Sequence, residues 1–195
     1  MTIYSLYIFD RHCTCVYYQD WHRVKKPRPA AEGNILPNVS KAVVVSTASD
    51  APRTTSLLNP SSGVVVAAVD TQSSSGQPQT GLPFDEEAKL VFGVVLSLRT
   101  MIKKLSGRDE NFTSYKTSAY RLHLFETLSG YKFILLSDPN IDSLRFLLRQ
   151  LYSGPFVEYV ARNPLVDMDS RERGIDNEHF RNATDRLIRT SSYFS

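Results

Sequence analysis

The sequence predicts an α+β fold in which helices cover both faces of a five-stranded antiparallel sheet. Five segments have strand-like length and apolar patterning and are bounded by turn residues, which is typical of β-strands. Other segments repeat apolar residues at three- and four-residue spacing, which is typical of amphipathic helices. In chain order these segments read β-β-α-β-β-β-α-α, and a sheet with helices on both faces accommodates that order.

The first block, Met1 to Lys26, predicts a β-hairpin. In IYSLYIF, residues 3–9, both alternating sets of side chains are apolar. This strand is therefore expected near the centre of the sheet, buried on two sides. Asp10-Arg11-His12 is expected to turn the chain into a second strand, CTCVYYQDW.

A long helix is predicted in DEEAKLVFGVVLSLRTMIKKLSG. It is expected to begin with Asp85 as its cap and to end at Gly107, after lysines that suit a helix carboxyl end. Its expected core stripe consists of Val91, Val94, Val95, Leu98, Met101, Ile102 and Leu105.

Three strands, FTSYKT, AYRLHLFET and YKFILLSD, are predicted after this helix, with a turn at residues 128–130 between the last two. The last strand is unbroken in its apolar run and is also expected to be central. A helix is then expected from Asp138-Pro139, with a kink at Gly154-Pro155. A final amphipathic helix is expected from about Asp176.

We predict one domain over residues 1–195, interrupted by a mostly disordered insertion at 27–83 between the second strand and the long helix. All ten Tyr, all ten Phe and the single Trp lie outside residues 27–82, so the insertion has no aromatic surface to bury. Ordering it would cost roughly 1 to 2 kcal/mol per residue in backbone entropy. Val43–Val45 and Val64–Val69 leave a hairpin or an edge strand as the alternative.

Composition excludes several classes of protein. The formal net charge of +3 does not favour a nucleic-acid partner. The amino terminus lacks the pattern of a signal peptide, and no apolar run is long enough to span a membrane. The two cysteines are too few for a disulfide framework, so we expect a reducing compartment and a cytoplasmic protein, or one peripheral on a cytosolic membrane face.

Cys13 and Cys15 are the strongest candidates for metal or nucleophile chemistry. A C-x-C pair on a strand would point to one face and could share a metal with His12 or His22, but no second pair with zinc-site spacing follows. The sequence brings no histidine base such as His123 to either thiol. We therefore predict no catalytic residue, no metal site and no cofactor.

Two charged features have ordinary explanations. Glu86-Glu87 is explained by the positive end of the long helix. The basic run Arg23, Lys25, Lys26 and Arg28 is interpreted as the solvated start of a flexible loop, with contact to anionic lipid as the alternative.

The long helix offers a candidate surface for a protein partner. In helical projection Phe92 and Leu96 lie off the predicted core stripe, with Arg99 and Lys103 on the same flank. Large apolar groups on a solvent side are typical of protein interfaces. We therefore predict a partner-binding site at Phe92, Leu96, Arg99 and Lys103. A wide core stripe is the equally weighted alternative.

Several segments resemble a known family. They are IYSLYIFDRHCTCVYYQDWHR, EEAKLVFGVVLSLRTMIKKLS, FTSYKTSAYRLHLFETLSGYKFILLSD, YVARNPL and HFRNATDRLIRTSSYFS. In order, they resemble the subunit 1 family of the transport protein particle (TRAPP) complex, the smallest of its sedlin-like subunits with a longin-like (profilin-like) fold. The departure is the insertion at 27–83, where compact members have a short loop.

The resemblance implies a structural role in a multisubunit complex. Such complexes act as guanine nucleotide exchange factors for a Rab GTPase and as vesicle tethers between endoplasmic reticulum and Golgi. The implied partners are sedlin-like and Bet3-like TRAPP subunits, with the Rab GTPase reached through the assembled complex. The implied location is cytoplasmic and peripheral at cis-Golgi and endoplasmic reticulum membranes.

The sequence alone leaves two other functions open. One is another longin-type trafficking protein, such as an adaptor small chain, because a fold does not determine a function. The other is a small-ligand-binding or enzymatic α/β domain, which would need convergent polar groups in a pocket.

Overall fold

Five strands in the described part of the chain form one antiparallel sheet in the order β2-β1-β5-β4-β3. The computed structural model describes residues 2–23, 27–29, 36–48, 81–107, 112–166 and 173–194. The strands are β1 Ile3–Phe9, β2 Cys15–Asp20, β3 Ser114–Lys116, β4 Arg121–Glu126 and β5 Lys132–Ser137. The predicted α+β class and the central positions of β1 and β5 are confirmed.

Helices cover both faces of this sheet. They are α1 Pro37–Ala48, α2 Phe84–Ser106, α3 Arg145–Leu151, a π-helix Tyr152–Ala161 and α4 Glu178–Thr190. Helix α2 packs on one face, and the π-helix and α4 pack on the other. The chain therefore has the predicted layers, with α1 as an additional helix.

Aromatic rings fill the layer between α2 and the sheet. The ring centroid of Tyr7 lies 6.2 Å from that of Phe84, and that of Phe9 lies 5.1 Å from that of Phe92. These rings are buried, and fully burying one side chain of this size contributes roughly 1.5 to 3 kcal/mol. The strand residues that point to α2 therefore determine where the helix rests.

The opposite layer is built in the same way. Phe133 on β5 packs edge-on against Phe156 of the π-helix at 5.1 Å, and Tyr17 on β2 packs against Phe180 of α4 at 4.8 Å. Because β1 and β5 are paired on both edges and covered on both faces, both alternating sets of their side chains are apolar.

The two predicted hairpin turns are confirmed, and they contact each other. The Asp10 carboxylate accepts hydrogen bonds from the backbone N–H groups of His12 and Thr14, both at 2.8 Å, which closes the first turn. Gly130, at φ 88°, closes the second, and a Cβ there would lie 3.0 Å from Arg11 Cβ. Glycine is therefore required for both the backbone angle and the close approach.

Helix α1 contradicts part of the prediction for residues 27–83. Val39, Ala42 and Val43 are buried at helical spacing, so a strand at Val43–Val45 is wrong and this segment is helical, whereas the mostly disordered character of 27–83 as a whole stays a prediction. The helix contains no aromatic residue, which is why the composition concealed it. The run Val64–Val69 lies outside the described residues.

Helix α1 is seated against β2 through Gly174. At φ 80°, Gly174 brings its backbone so close that a Cβ would lie 3.0 Å from Val16 O and 3.3 Å from Val39 Cγ2. The following residue, Ile175, donates its N–H to the same Val16 carbonyl at 2.8 Å. The segment before α4 therefore lies between α1 and β2.

The two ends of the predicted insertion meet in a short parallel bridge between Arg28 and Pro83. Arg28 N–H donates to Leu82 O at 3.0 Å, and Phe84 N–H donates to Arg28 O at 3.0 Å. The Arg28 side chain also donates to Gly81 O at 2.7 Å. Arg28 is thus fixed by backbone and side-chain hydrogen bonds, so its interpretation as part of a solvated, flexible loop is wrong.

Of the two predicted ends of α2, one is wrong and one is confirmed. Its start is wrong, because the helix begins at Phe84 with Pro83 in the cap position and no side-chain cap, and Asp85 instead lies 3.7 Å from Lys89 Nζ. Its end is confirmed, because Gly107 adopts the left-handed conformation at φ 65° and donates to Lys103 O.

The predicted start of the next helix is also wrong. Asp138-Pro139 forms a turn, in which Asp138 Oδ1 accepts the N–H of Asn140 at 2.9 Å, and α3 begins at Arg145. Where a kink is predicted at Gly154-Pro155, the structure has a change of helix type, with Pro155 inside the π-helix. The last helix is confirmed within two residues of its predicted start.

Buried His123 fixes the entry to α3. Its Nδ1 accepts the N–H of Leu144 at 3.3 Å, so Nε2 carries the proton and donates to Ser137 Oγ at 2.9 Å. Burial, assisted by the charge of Arg121, lowers the pKa of His123 from 6.5 to about 4. The unfolded chain therefore binds this proton at a higher pH than the folded chain does.

We expect the free energy of unfolding to decrease as the pH falls from 6.5 towards 4, because unfolding takes up a proton at His123 in that range. Above pH 6.5 this contribution to stability is fully present. His123→Gln should lower stability at pH 7 but flatten its pH dependence, as measured by urea unfolding at several pH values. Exposed His179→Gln is the matched control, and an unchanged slope in His123→Gln would contradict the assignment.

Candidate functional site

Helix α2 presents one buried face and two exposed flanks. The buried apolar residues are Phe84, Ala88, Phe92 and Val95. Of the predicted core stripe only Val95 is fully buried, whereas Val91, Val94, Leu98 and Ile102 are half-buried and Met101 and Leu105 are exposed. The helix is therefore rotated about its axis relative to the prediction.

Phe92 contradicts its predicted place on the solvent side. It is only 7% exposed, packs against Phe9, and has the Lys132 ammonium 5.8 Å from its ring centroid. The reason is packing volume, because the bulky rings of Phe84 and Phe92 fill the layer over the aromatic strands better than the valines do. Phe92 is thus a core residue and not part of an exposed contact surface.

The other three predicted partner-binding residues share the first flank. Leu96 is 44% exposed, and Lys103 is exposed about two helical turns further along. Arg99 Nη1 donates to Glu126 Oε2 at 2.7 Å, so this guanidinium is tied to β4. The first flank is consequently a mixed surface of one leucine and two cations.

Helix α2 has a second exposed flank that was not predicted, which we call the leucine flank. It consists of Leu90, Val94, Leu98, Met101 and Leu105. Leu90, Met101 and Leu105 are 57%, 51% and 79% exposed, and the flank carries no charge. The signal was available, because α2 carries more apolar residues than one side of a helix can direct at one sheet.

A groove of about 630 Å³ lies beside the leucine flank. Leu90 and Val94 line it on the helix side, and Leu122 and Leu136 line it on the sheet side. Buried Ser5 also lines it, and its hydroxyl has no hydrogen-bond partner among the described residues. The volume is in the range of sites that receive ligands or side chains.

A buried polar cluster closes one end of this groove. Arg23 Nη1 donates to Glu87 Oε1 at 2.6 Å, and its other terminal nitrogen donates to Oε2, so the pair is bidentate. Burial raises the pKa of Tyr7, and its protonated hydroxyl donates to the same carboxylate. Arg23 also donates to Tyr18 at 3.2 Å.

This cluster corrects two interpretations. Arg23 is held against α2 and does not belong to a solvated basic run, whose Lys25 and Lys26 lie outside the described residues. Glu87 is explained by this ion pair more than by the helix dipole, whereas Glu86 is exposed. Both side chains of the pair are mostly buried.

The two cysteines are not brought together for chemistry. Cys13 is exposed in the first turn at φ 69°, not on a strand as predicted, and Cys15 is buried with its thiol directed to Tyr17 O at 3.5 Å. Burial raises the pKa of Cys15 to about 12, so its thiol remains protonated. Within the described ranges no group of three or more potential ligands could hold a metal.

Among the helices that the structure describes, none is long and apolar enough to cross a membrane. The molecular features are a rigid sheet, a long helix with exposed apolar flanks and a groove beside it. These features define an α+β protein with exposed apolar surface on its longest described helix.

The comparison with known proteins gives the family. Residues 3–191 match the model of the Sybindin-like family, and the chain belongs to that family. The longin-like fold class expected from the sequence is thereby confirmed.

Several relatives carry the names of TRAPP subunits. The chain is 34% identical to "Transport protein particle subunit bet5" of Schizosaccharomyces pombe, with all of both chains covered. It is 28% identical to "Trafficking protein particle complex subunit 1" of Rattus norvegicus, covering 100% of this chain and 97% of the relative. It is 32% identical to the BET5 subunit of Saccharomyces cerevisiae over 88% of this chain and 80% of the relative.

We expect Glu87→Ala to lower the free energy of unfolding by about 3 kcal/mol, because it leaves the Arg23 guanidinium buried without its carboxylate. Glu86→Ala, one residue earlier on the same turn and exposed, should change it by less than about 0.5 kcal/mol. Urea unfolding of both variants measures the difference, and equal effects would show that the ion pair does not anchor α2.

Proposed function

We propose that this chain is a core structural subunit of the TRAPP complex, corresponding to subunit 1, and acts in vesicle traffic. The observation that carries the proposal is the full-length similarity to the bet5 and subunit 1 proteins, whose names place them in that complex. A subunit of this kind works by holding other subunits in place.

The exposed flanks of α2 are the surfaces that we propose for sister subunits. Leu90, Met101 and Leu105 expose apolar area that water solvates poorly, and fully burying a leucine against a partner contributes roughly 1.5 to 3 kcal/mol. The first flank, with Leu96, Arg99 and Lys103, adds a rim of one apolar and two cationic groups. Phe92 supports this surface from below and does not contact the partner.

We further propose that the chain is not a catalyst by itself. Guanine nucleotide exchange on a Rab GTPase opens a nucleotide pocket and breaks no covalent bond, so it requires a correctly shaped platform and no nucleophile. In this proposal the platform is the assembled complex, with sedlin-like and Bet3-like subunits. It acts in the cytoplasm, peripherally at cis-Golgi and endoplasmic reticulum membranes.

A pull-down from native cytosol tests the proposal. We expect the tagged chain to recover sedlin-like and Bet3-like TRAPP subunits, identified by mass spectrometry, and the recovered complex to accelerate nucleotide release from its Rab. The chain alone should not do so. Recovery of adaptor subunits in their place, or of no stable partner, would contradict it.

Charge placed on the α2 flanks should weaken association with sister subunits. We expect Leu90→Asp with Met101→Asp, and separately Leu96→Asp, to reduce affinity about tenfold or more, because an uncompensated carboxylate is desolvated in the contact. Co-purification with co-expressed sister subunits measures the effect.

Arg149→Glu is the control for these variants, since Arg149 is exposed on α3 and not on α2. An unchanged urea midpoint in each variant confirms that the fold is retained. Full co-purification of both flank variants would reject α2 as the contact surface.

A further inference from the structure

The π-helix at Tyr152–Ala161 is the least ordinary element of the described chain. It extends over ten residues with Pro155 inside, and Arg162 N–H donates to Val157 O at 3.0 Å, five residues back. Such helices are rare beyond a single turn and occur frequently at functional sites. Pro155 and Tyr159, four residues apart in this helix, are both half-buried and lie on the same side of it.

These two residues form one wall of a second groove, of about 530 Å³, whose other wall is α4. His179, Arg186 and Leu187 line the α4 side. This groove lies on the sheet face opposite to α2, since Phe156 and Phe180 of the same two helices pack against that face. It is therefore separate from the surface proposed for sister subunits.

The walls of this groove are fixed relative to each other. Asn177 caps α4 by accepting the N–H groups of His179 and Phe180, and its Nδ2 donates to Tyr159 O of the π-helix at 2.8 Å. The rings of Tyr159 and His179 stack at 6.2 Å. The groove therefore exists before any ligand arrives, which reduces the entropy cost of binding.

The charge in the groove is one-sided. No acidic side chain lines it, and Arg186 is exposed without an ion pair among the described residues. Arg189, three residues later, differs, because its guanidinium pairs with Asp185 at 2.7 Å and lies over the ring of Phe194. Arg186 thus presents an uncompensated cation beside the apolar surfaces of Pro155 and Leu187.

We propose that this groove binds an extended acidic segment of another protein. A carboxylate of that segment pairs with Arg186, and a neighbouring apolar side chain packs between Pro155 and Leu187. The inference rests on the proposed function in one respect, because a multisubunit complex supplies such segments at high local concentration. It adds a second surface, for a partner of different chemistry.

A labelled peptide of alternating Glu and Leu, titrated by fluorescence polarisation, tests the groove. We expect binding to the wild-type chain that is about tenfold weaker for Arg186→Glu, because the ion pair becomes a repulsion. Arg145→Glu is the matched control, since Arg145 is exposed, makes the same charge change and does not line the groove. A peptide of alternating Glu and Ser should bind more weakly than the Glu-Leu peptide.

Three results would overturn this inference. They are no binding by the wild-type chain, equal loss in Arg186→Glu and Arg145→Glu, and Arg186-dependent binding to vesicles containing phosphatidylserine but not to the peptide. The last would assign the groove to a lipid surface. If the peptide does not bind but sister subunits still co-purify with Arg186→Glu, only this inference is rejected and the proposed function is retained. If no sister subunit co-purifies with the wild-type chain, the proposed function is rejected even when the peptide binds.

Discussion

The buried pair of Arg23 and Glu87 is the constraint on which the exposed surface of this protein depends. It joins the segment that follows β2 to the first turn of α2, across 64 positions of sequence. Tyr7 and Tyr18 complete its hydrogen bonds, so the charges are both paired and solvated by hydroxyl groups. Because α2 is fixed at this end, its rotation about its own axis is fixed as well.

That rotation decides which residues meet other proteins. With Phe84 and Phe92 directed at the sheet, Leu90, Met101 and Leu105 are exposed, and Leu90 lines the groove. A rotation of one residue position would bury part of the leucine flank and expose Phe92. The polar cluster is thus a structural element with a consequence for binding, even though it contacts no partner in the proposal.

The sheet was predictable from the sequence because its signals are local. β1 and β5 are apolar on both alternating sets, and the turns at Asp10 and Gly130 have residues with the required hydrogen bonds or backbone angle. The rotation of α2 was not predictable from its own sequence. Val91 and Phe92 belong to two overlapping apolar stripes of the helix, and only packing on strands distant in sequence decides which stripe is buried. Helix α1 was hidden for another reason, since it packs on β2, and its Val39 meets Gly174, which is 135 positions away in sequence.

The bridge between Arg28 and Pro83 holds the two ends of residues 28–83 side by side. The backbone enters and leaves this region at adjacent points, so the number of residues between Ala48 and Gly81 imposes no geometric demand on where α2 begins. Length variation there is decoupled from the position of the helix that carries the proposed interface. A fluorescent protein or an affinity tag placed in that interval would report on the assembly without moving its contact surface.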